Sequence, residues 1–243
     1  MSFKPNFDLL VEWKDVVRAR EYASASTFIA KFKHGNKTLV YMCDVHRINR
    51  SFDMVDFCFS DEFSIKPDVL LTEMENSGYE RKFSQDWIQD NTLSYAAVVA
   101  SQRHIPMVFA DLSDEQMVDV IQVGFPDEKI STDILHKVLR AGPTGKDGGN
   151  IYNKMCAYLA KNGRDRFMLE NIAIALNKYD TVFAIFGAGH YENQRLVLED
   201  MMGKPEYITK IKNMRGDFLD AKIEPIKLCD FEMVEIGEGN GKK

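Results

Sequence analysis

The strongest pattern in the chain is an unbroken apolar run at residues 182–186, Val-Phe-Ala-Ile-Phe, the composition of a strand buried on both faces of a parallel sheet. It ends at Gly187-Ala188-Gly189-His190, after which Leu196, Val197 and Met201 recur at helical spacing until Gly203 and Pro205. A strand that feeds a helix through such a turn is half of a βαβ unit, and open α/β sheets bind ligands at these turns, beyond the carboxyl ends of their strands.

Other stretches repeat the theme. Leu9, Leu10, Trp13, Val16 and Val17 predict an opening amphipathic helix. Residues 27–32 and 38–42 are β-rich runs around Lys33-His34-Gly35-Asn36-Lys37, which predicts a hairpin with His34 in solvent at its turn. Residues 68–71 and 106–110 are further candidate buried strands. Helices are expected after an Asn91 or Thr92 cap, after the capping box Ser113-Asp-Glu-Gln116, around Ile134 to Leu139, and from Ile151 to a stop at Gly163. A new helix follows from Arg164 to Tyr179. Residues 221–228 and 231–236 suggest terminal strands and residues 237–243 a frayed tail. With no internal repeat and no polar linker, residues 1–243 predict a single α/β domain. Its centre is a mostly parallel mixed sheet with an N-terminal hairpin, flanked by helices.

Composition narrows the function classes. A formal charge of −6 and a pI near 5.5 argue against a broad nucleic-acid or anionic-membrane surface. The cysteines at 43, 58, 156 and 229 form no C-x-x-C pair, which points to a reducing, cytoplasmic setting rather than a disulfide framework. Asp8 and Glu12 interrupt the first apolar patch, so it does not read as a secretory signal; export by a signal-independent route stays open. No apolar run approaches the roughly 20 residues of a membrane-spanning helix.

The candidate chemistry lies where apolar runs stop. Four of them end in His46, Glu73, Asp111 and His190, and neighbouring parallel strands would bring these groups to one crevice. Two imidazoles and a carboxylate suit a divalent metal such as zinc, manganese or iron with positions left open for water and substrate. Without a metal, the same groups suit a general base and its electrostatic partner. Plainer readings stand beside these. The histidines could be satisfied core residues, Glu73 the ion-pair partner of Arg164, and Asp111 the start of the turn before the Ser113 cap. Cys43 reads as a small residue ending a strand or, beside Asp44 and His46, as a nucleophile. Arg103 and His104 precede a strand and belong to the far end of the sheet, and His136 falls on a helix surface. Two phosphate motifs fail. Gly187-Ala-Gly-His-Tyr-Glu192 carries glutamate where the dinucleotide fingerprint needs glycine or alanine, and Gly142-Pro-Thr-Gly-Lys146-Asp is too short for a P-loop, so no nucleotide is expected.

Cys43-Asp-Val-His46, the strand-end Glu73, Arg164-Asp-Arg-Phe-Met168 and Gly187-Ala-Gly-His190 together resemble the superfamily of TraB proteins, Tiki proteases, ChaN-like haem-associated lipoproteins and erythromycin esterases. That family shows G-x-x-H after an early strand, a glutamate ending the next, an arginine-bearing helix and a second G-x-x-H. The matched positions run from about residue 40 to residue 200 in the family's order, with the second G-x-x-H intact and Cys43 standing where the first glycine belongs. The resemblance implies the erythromycin-esterase/ChaN-like α/β fold, with His46, Glu73 and His190 as the site and Arg164 facing it. It implies a hydrolase of a peptide amide or a small-molecule ester or amide. His46 and His190 would be metal ligands or bases, Glu73 would complete the metal sphere or activate water, and Arg164 would stabilise an oxyanion. Spacing agrees in part, since Arg164, Met168 and Asn171 share one helix face. The alternative is a non-catalytic ligand- or peptide-binding module on the same fold, which the Cys43 departure favours.

Overall fold

The computed structural model describes residues 2–11, 27–44, 48–75, 81–83, 91–142, 149–209 and 221–223. Strands β1 (Phe28–His34) and β2 (Lys37–Asp44) form the expected hairpin, antiparallel from Phe28↔Cys43 to His34↔Lys37. Its two-residue turn is Gly35-Asn36, where Gly35 takes φ of 60°, a conformation that costs glycine little. His34 is not free in solvent: its ring is half-buried and packs edge-on against Phe3 at 5.8 Å.

From β2 the chain enters α1 (Ile48–Phe59), which the sequence reading did not mark, and then β3 (Val69–Glu75). A short strand β4 (Arg81–Phe83), α2 (Thr92–Gln102) and β5 (Met107–Asp111) follow. Helices α3 (Asp114–Gly124), α4 (Thr132–Ala141) and α5 (Ile151–Leu159) come next, then a π-helical turn (Ala160–Arg164) leading into α6 (Asp165–Lys178). The chain returns through β6 (Thr181–Gly187), α7 (Ala188–Met202) and β7 (Glu206–Ile208). The capping box at Ser113 is present as expected, with Ser113 and Gln116 bonding reciprocally.

The main sheet has six strands in the order β5-β3-β6-β2-β1-β7. Strands β5, β3, β6 and β2 run parallel, and the β1 hairpin arm and β7 add the antiparallel edge. The fold is therefore α/β, with a mixed and mostly parallel sheet flanked by helices. Since β6 inserts between β3 and β2, the crossovers leaving β2 and entering β6 part at this point, the place where an open sheet leaves a crevice at its carboxyl edge.

Alternation along the strands sorts the core. Tyr41, Cys43, Leu71, Ala110, Ala184 and Phe186 face α6 and α7, while Val40, Met42, Leu70, Phe109, Phe183 and Ile185 face α1 and α2. Helices α3, α4 and α5 gather a third cluster around Ile121, Leu135 and Leu159, joined to the sheet layer through Leu112 and Phe167.

Gly163 does not stop a helix. Helix α5 passes into α6 through the π turn, and a Cβ at Gly163 would lie 3.0 Å from Leu112 and 3.1 Å from Val120, so the glycine is there for close packing. Of the opening helix, the described part is a 3₁₀ turn at Phe7–Leu9, and the rest of that expectation lies outside the described residues. Ala221–Ile223, β8, pairs with β4 in a separate two-stranded ribbon instead of extending the main sheet. Residues 224–243, including the expected strand at 231–236 and the tail, lie outside the described residues. Among the described residues, no helix is long and apolar enough to cross a membrane.

Candidate functional site

Glu73 comes from a defect in β3. Pairing with β5 runs in step to Thr72↔Phe109 and resumes at Glu75↔Asp111, so β3 carries one extra residue there. Such a bulge re-aims the side chain it carries. The β3–β6 ladder ends at Thr72↔Ile185, and beyond it Glu73 Oε2 accepts the backbone N–H of Gly187 at 2.5 Å. Gly187 is also the N-cap of α7, so the Glu73 carboxylate sits where the helix dipole favours an anion. A phosphate bound at this glycine turn would meet that carboxylate.

His190 lies in the first turn of α7 with its ring between two carboxylates, Nδ1 2.7 Å from Asp165 Oδ1 and Nε2 3.3 Å from Glu73 Oε1. Arg164, the last residue of the π turn, closes the other side of Glu73. Its Nη2 donates to Glu73 Oε1 at 2.6 Å and to Asp111 Oδ2 at 2.5 Å, and its Nε donates to Asp111 Oδ1 at 3.0 Å. Asp111 is therefore the second carboxylate on Arg164, not a turn residue alone, although its Oδ1 does accept the N–H of Leu112 as a turn opener would. The two-pronged grip from Asp111 is the geometry a guanidinium fork favours.

Asp165 is fully buried and accepts from three α7 side chains. Besides His190, Gln194 Nε2 donates to Oδ1 at 2.8 Å and Asn193 Nδ2 donates to Oδ2 at 2.9 Å. Gln194 Oε1 in turn accepts the Tyr41 hydroxyl at 3.0 Å. Because a carboxylate only accepts, Asn193 must turn its NH₂ toward Asp165, which leaves its Oδ1 buried with no partner among the described residues. An orphaned acceptor of that kind costs about 1–3 kcal/mol, so the carboxylate's requirement outweighs the amide's.

The electrostatics follow from this enclosure. Burial disfavours a charged imidazole, but Glu73 and Asp165 more than compensate and raise His190 from its ordinary 6.5 to about 10. Burial would likewise raise Glu73; the charges of His190 and Arg164 and the Gly187 N–H overcome it and hold Glu73 well below the ordinary carboxylate range. Arg164, despite burial, is pushed further toward its charged form by Asp111 and Glu73. At neutral pH His190 is a donor and a positive charge, not a base. Two cations and the carboxylates of Glu73, Asp111 and Asp165 thus form one buried network.

Of the four residues expected in the site, the structure brings Glu73, Arg164 and His190 together, and His46 lies outside the described residues. Asn171 does not join Arg164 at the site: it is buried, its Nδ2 donates back to the Phe167 carbonyl, and its Oδ1 has no partner among the described residues. Cys43 is a fully buried β2 residue in the α6–α7 core, and burial pushes its thiol up, away from nucleophilic use. Asp165, Gln194 and Tyr41 are participants the sequence reading missed. A signal for them existed: His190, Asn193 and Gln194 recur at i, i+3 and i+4, a polar stripe on the buried face of α7.

For a divalent metal on His46, Glu73 and His190, the described pair does not fit as arranged. Both Glu73 oxygens already accept hydrogen bonds, a guanidinium nitrogen lies 2.6 Å from Oε1, and each ring nitrogen of His190 already faces a carboxylate oxygen. A dication would have to displace Arg164 from Glu73. Among the described residues, no group of three or more His, Cys, Asp and Glu side chains is placed to hold a metal ion.

One guanidinium nitrogen is left over. Arg164 commits Nε and Nη2 to the carboxylates, and Nη1 has no hydrogen-bond acceptor among the described residues, while the side chain retains 18% exposure. Comparison with protein-family models, curated proteins and solved structures finds no match to this chain.

Proposed function

We propose that the crevice over β3, β6 and β2 is a hydrolytic site for an amide or ester, of the TraB/Tiki/ChaN/erythromycin-esterase type, acting without a metal. The observation that supports it is that Nη1 of Arg164 meets no acceptor among the described residues. A guanidinium held by Asp111 and Glu73, with one N–H pair that no described residue accepts, is a preorganised donor for the oxyanion that forms when water attacks a carbonyl. His190 and Glu73 hold that charge in place. Neither is the base, because His190 keeps its proton and Glu73 is a weakened one. Proton abstraction falls to His46, two positions beyond β2 in the sequence. A binding module without turnover is favoured by the saturation of Glu73 and His190, and the same experiment separates the two readings.

That experiment assays aryl esters and a fluorogenic peptide pool with the wild type, His46→Ala and Arg164→Lys, each matched for fold by circular dichroism, with and without chelator. The expected outcome is chelator-resistant turnover. His46→Ala lowers kcat by about 10²–10⁴-fold, and Arg164→Lys lowers it by about 10²–10³-fold. Turnover of nothing in either panel sinks the hydrolase reading in favour of the binding module. Turnover lost with chelator and restored by zinc, manganese or iron sinks the metal-free mechanism.

A further inference from the structure

Behind His190 stands a unit with no part in the chemistry proposed above. Asp165 opens α6, is fully buried, and takes three donors from a single stretch of α7. Only one of these, His190, also meets Glu73. The other two, Asn193 and Gln194, would suffice to fasten α7 to α6, so the third bond invites a separate explanation.

Chemistry supplies it. Asp165 Oδ1 lies 2.7 Å from His190 Nδ1 and can only accept, so Nδ1 must carry hydrogen and Nε2 is the nitrogen turned toward Glu73. We propose that Asp165 is a positioning residue: it fixes the ring orientation and Nδ1–H form of His190, so that Nε2–H meets Glu73 and Glu73 is held against Arg164. Gln194 and Tyr41 orient Asp165 in turn, since Gln194 gives its NH₂ to the carboxylate because its oxygen is engaged by the Tyr41 hydroxyl. The inference extends the hydrolytic reading to how its Arg164 donor is aimed, and it rests on that reading only for its effect on turnover.

The network also offers a variant that should fold. In Asp165→Asn, the amide oxygen replaces Oδ1 toward His190 and Gln194, while its NH₂ faces Asn193, whose orphaned Oδ1 becomes an acceptor once that amide flips. The charge is lost and the three bonds keep their partners, the one to Asn193 with donor and acceptor exchanged. Asp165→Ala removes both.

The test uses protein carrying ¹⁵N-histidine, with His190 assigned by the missing signals of His190→Gln, and reads the protonation of each ring nitrogen at neutral pH. In the wild type, a far-downfield proton correlated to Nδ1 is expected. Asp165→Asn should move it upfield but keep it on Nδ1, Asp165→Ala should lose it, and Gln194→Met, which loosens Asp165 but leaves its carboxylate against Nδ1, should keep the proton on Nδ1. Turnover should follow: Asp165→Ala lowers kcat by about 10–100-fold with KM little changed, as loss of an orienting partner does, and Asp165→Asn recovers much of it. A wild-type Nδ1 without a proton overturns the inference whatever the variants do. So does an Asp165→Ala spectrum matching wild type. If no substrate is turned over, the hydrolytic reading fails while the ring-nitrogen spectra still decide whether Asp165 sets His190.

Discussion

Arg164 is the residue whose removal reveals most. Its guanidinium bridges Glu73 and Asp111, side chains that are 10% and 7% exposed, and nothing else of positive charge touches Asp111 in the network. Arg164→Met leaves two buried carboxylates facing each other, and breaking a buried pair from one side costs about 3–5 kcal/mol. Urea unfolding should show that loss. The triple variant Arg164→Met/Glu73→Gln/Asp111→Asn should recover most of it, because the cost lies in uncompensated charge and not in the missing contact. If the triple variant is no more stable than Arg164→Met, packing rather than charge governs the position. At this scale the sequence exposed Glu73, His190 and Asp111, since each ends an apolar run and an ionisable group there needs a partner. It also offered Arg164 as partner to Glu73. It could not show that Arg164 serves Asp111 as well, because an aspartate before a Ser cap satisfies turn chemistry without help. Asp165 was hidden for a similar reason: an acidic residue in a helix's first turn is already explained by the helix dipole.

Two irregular elements aim the site, one a strand carrying an extra residue and the other a widened helical turn of five residues. The bulge in β3 presents Glu73, and the π turn between α5 and α6 presents Arg164 beside Asp165. The alternation of apolar runs and helical periods made the parallel sheet and its hairpin legible, since each face must be covered. An inserted residue leaves that pattern nearly unchanged, and Gly163 reads as a helix stop when only the sequence is in view. Its actual role yields a prediction. In Gly163→Ala the new methyl would meet Leu112 and Val120, which are 0% and 3% exposed and have little room to yield. Overpacking of this kind costs about 1–3 kcal/mol. The urea midpoint should fall accordingly at unchanged m-value, and kcat should fall with it, because the strain is applied one residue from Arg164. A Gly163→Ala protein as stable as wild type would mean that the π turn is not set by this contact.

At the scale of the molecule, the charged network ties together segments far apart in the chain: β3, β5, the π turn with the start of α6, and α7. No part of it survives unfolding, so its ionisation is linked to global stability. The signs are opposite for its two shifted members. His190 rises from 6.5 unfolded to about 10 folded, so its contribution is fully present below about pH 6.5 and is lost as pH rises toward and through 10. Glu73 is depressed below its ordinary 4.5, so its contribution is present above that value and is lost as pH falls below it. Stability attributable to the network should therefore be greatest between about pH 4.5 and 6.5 and decline on the alkaline side. Because cysteine, tyrosine and lysine also titrate in alkali, the decisive quantity is the difference in unfolding free energy between wild type and His190→Gln, followed by urea denaturation from pH 4.5 to 10. That difference should be largest near pH 6 and shrink by a few kcal/mol by pH 10, at about 1.4 kcal/mol per pH unit where the proton linkage is complete. A difference that does not change across this range would show that folding leaves the pKa of His190 where it is in the unfolded chain, and with it the assignment of His190 as the charged donor that steadies Glu73 would fall.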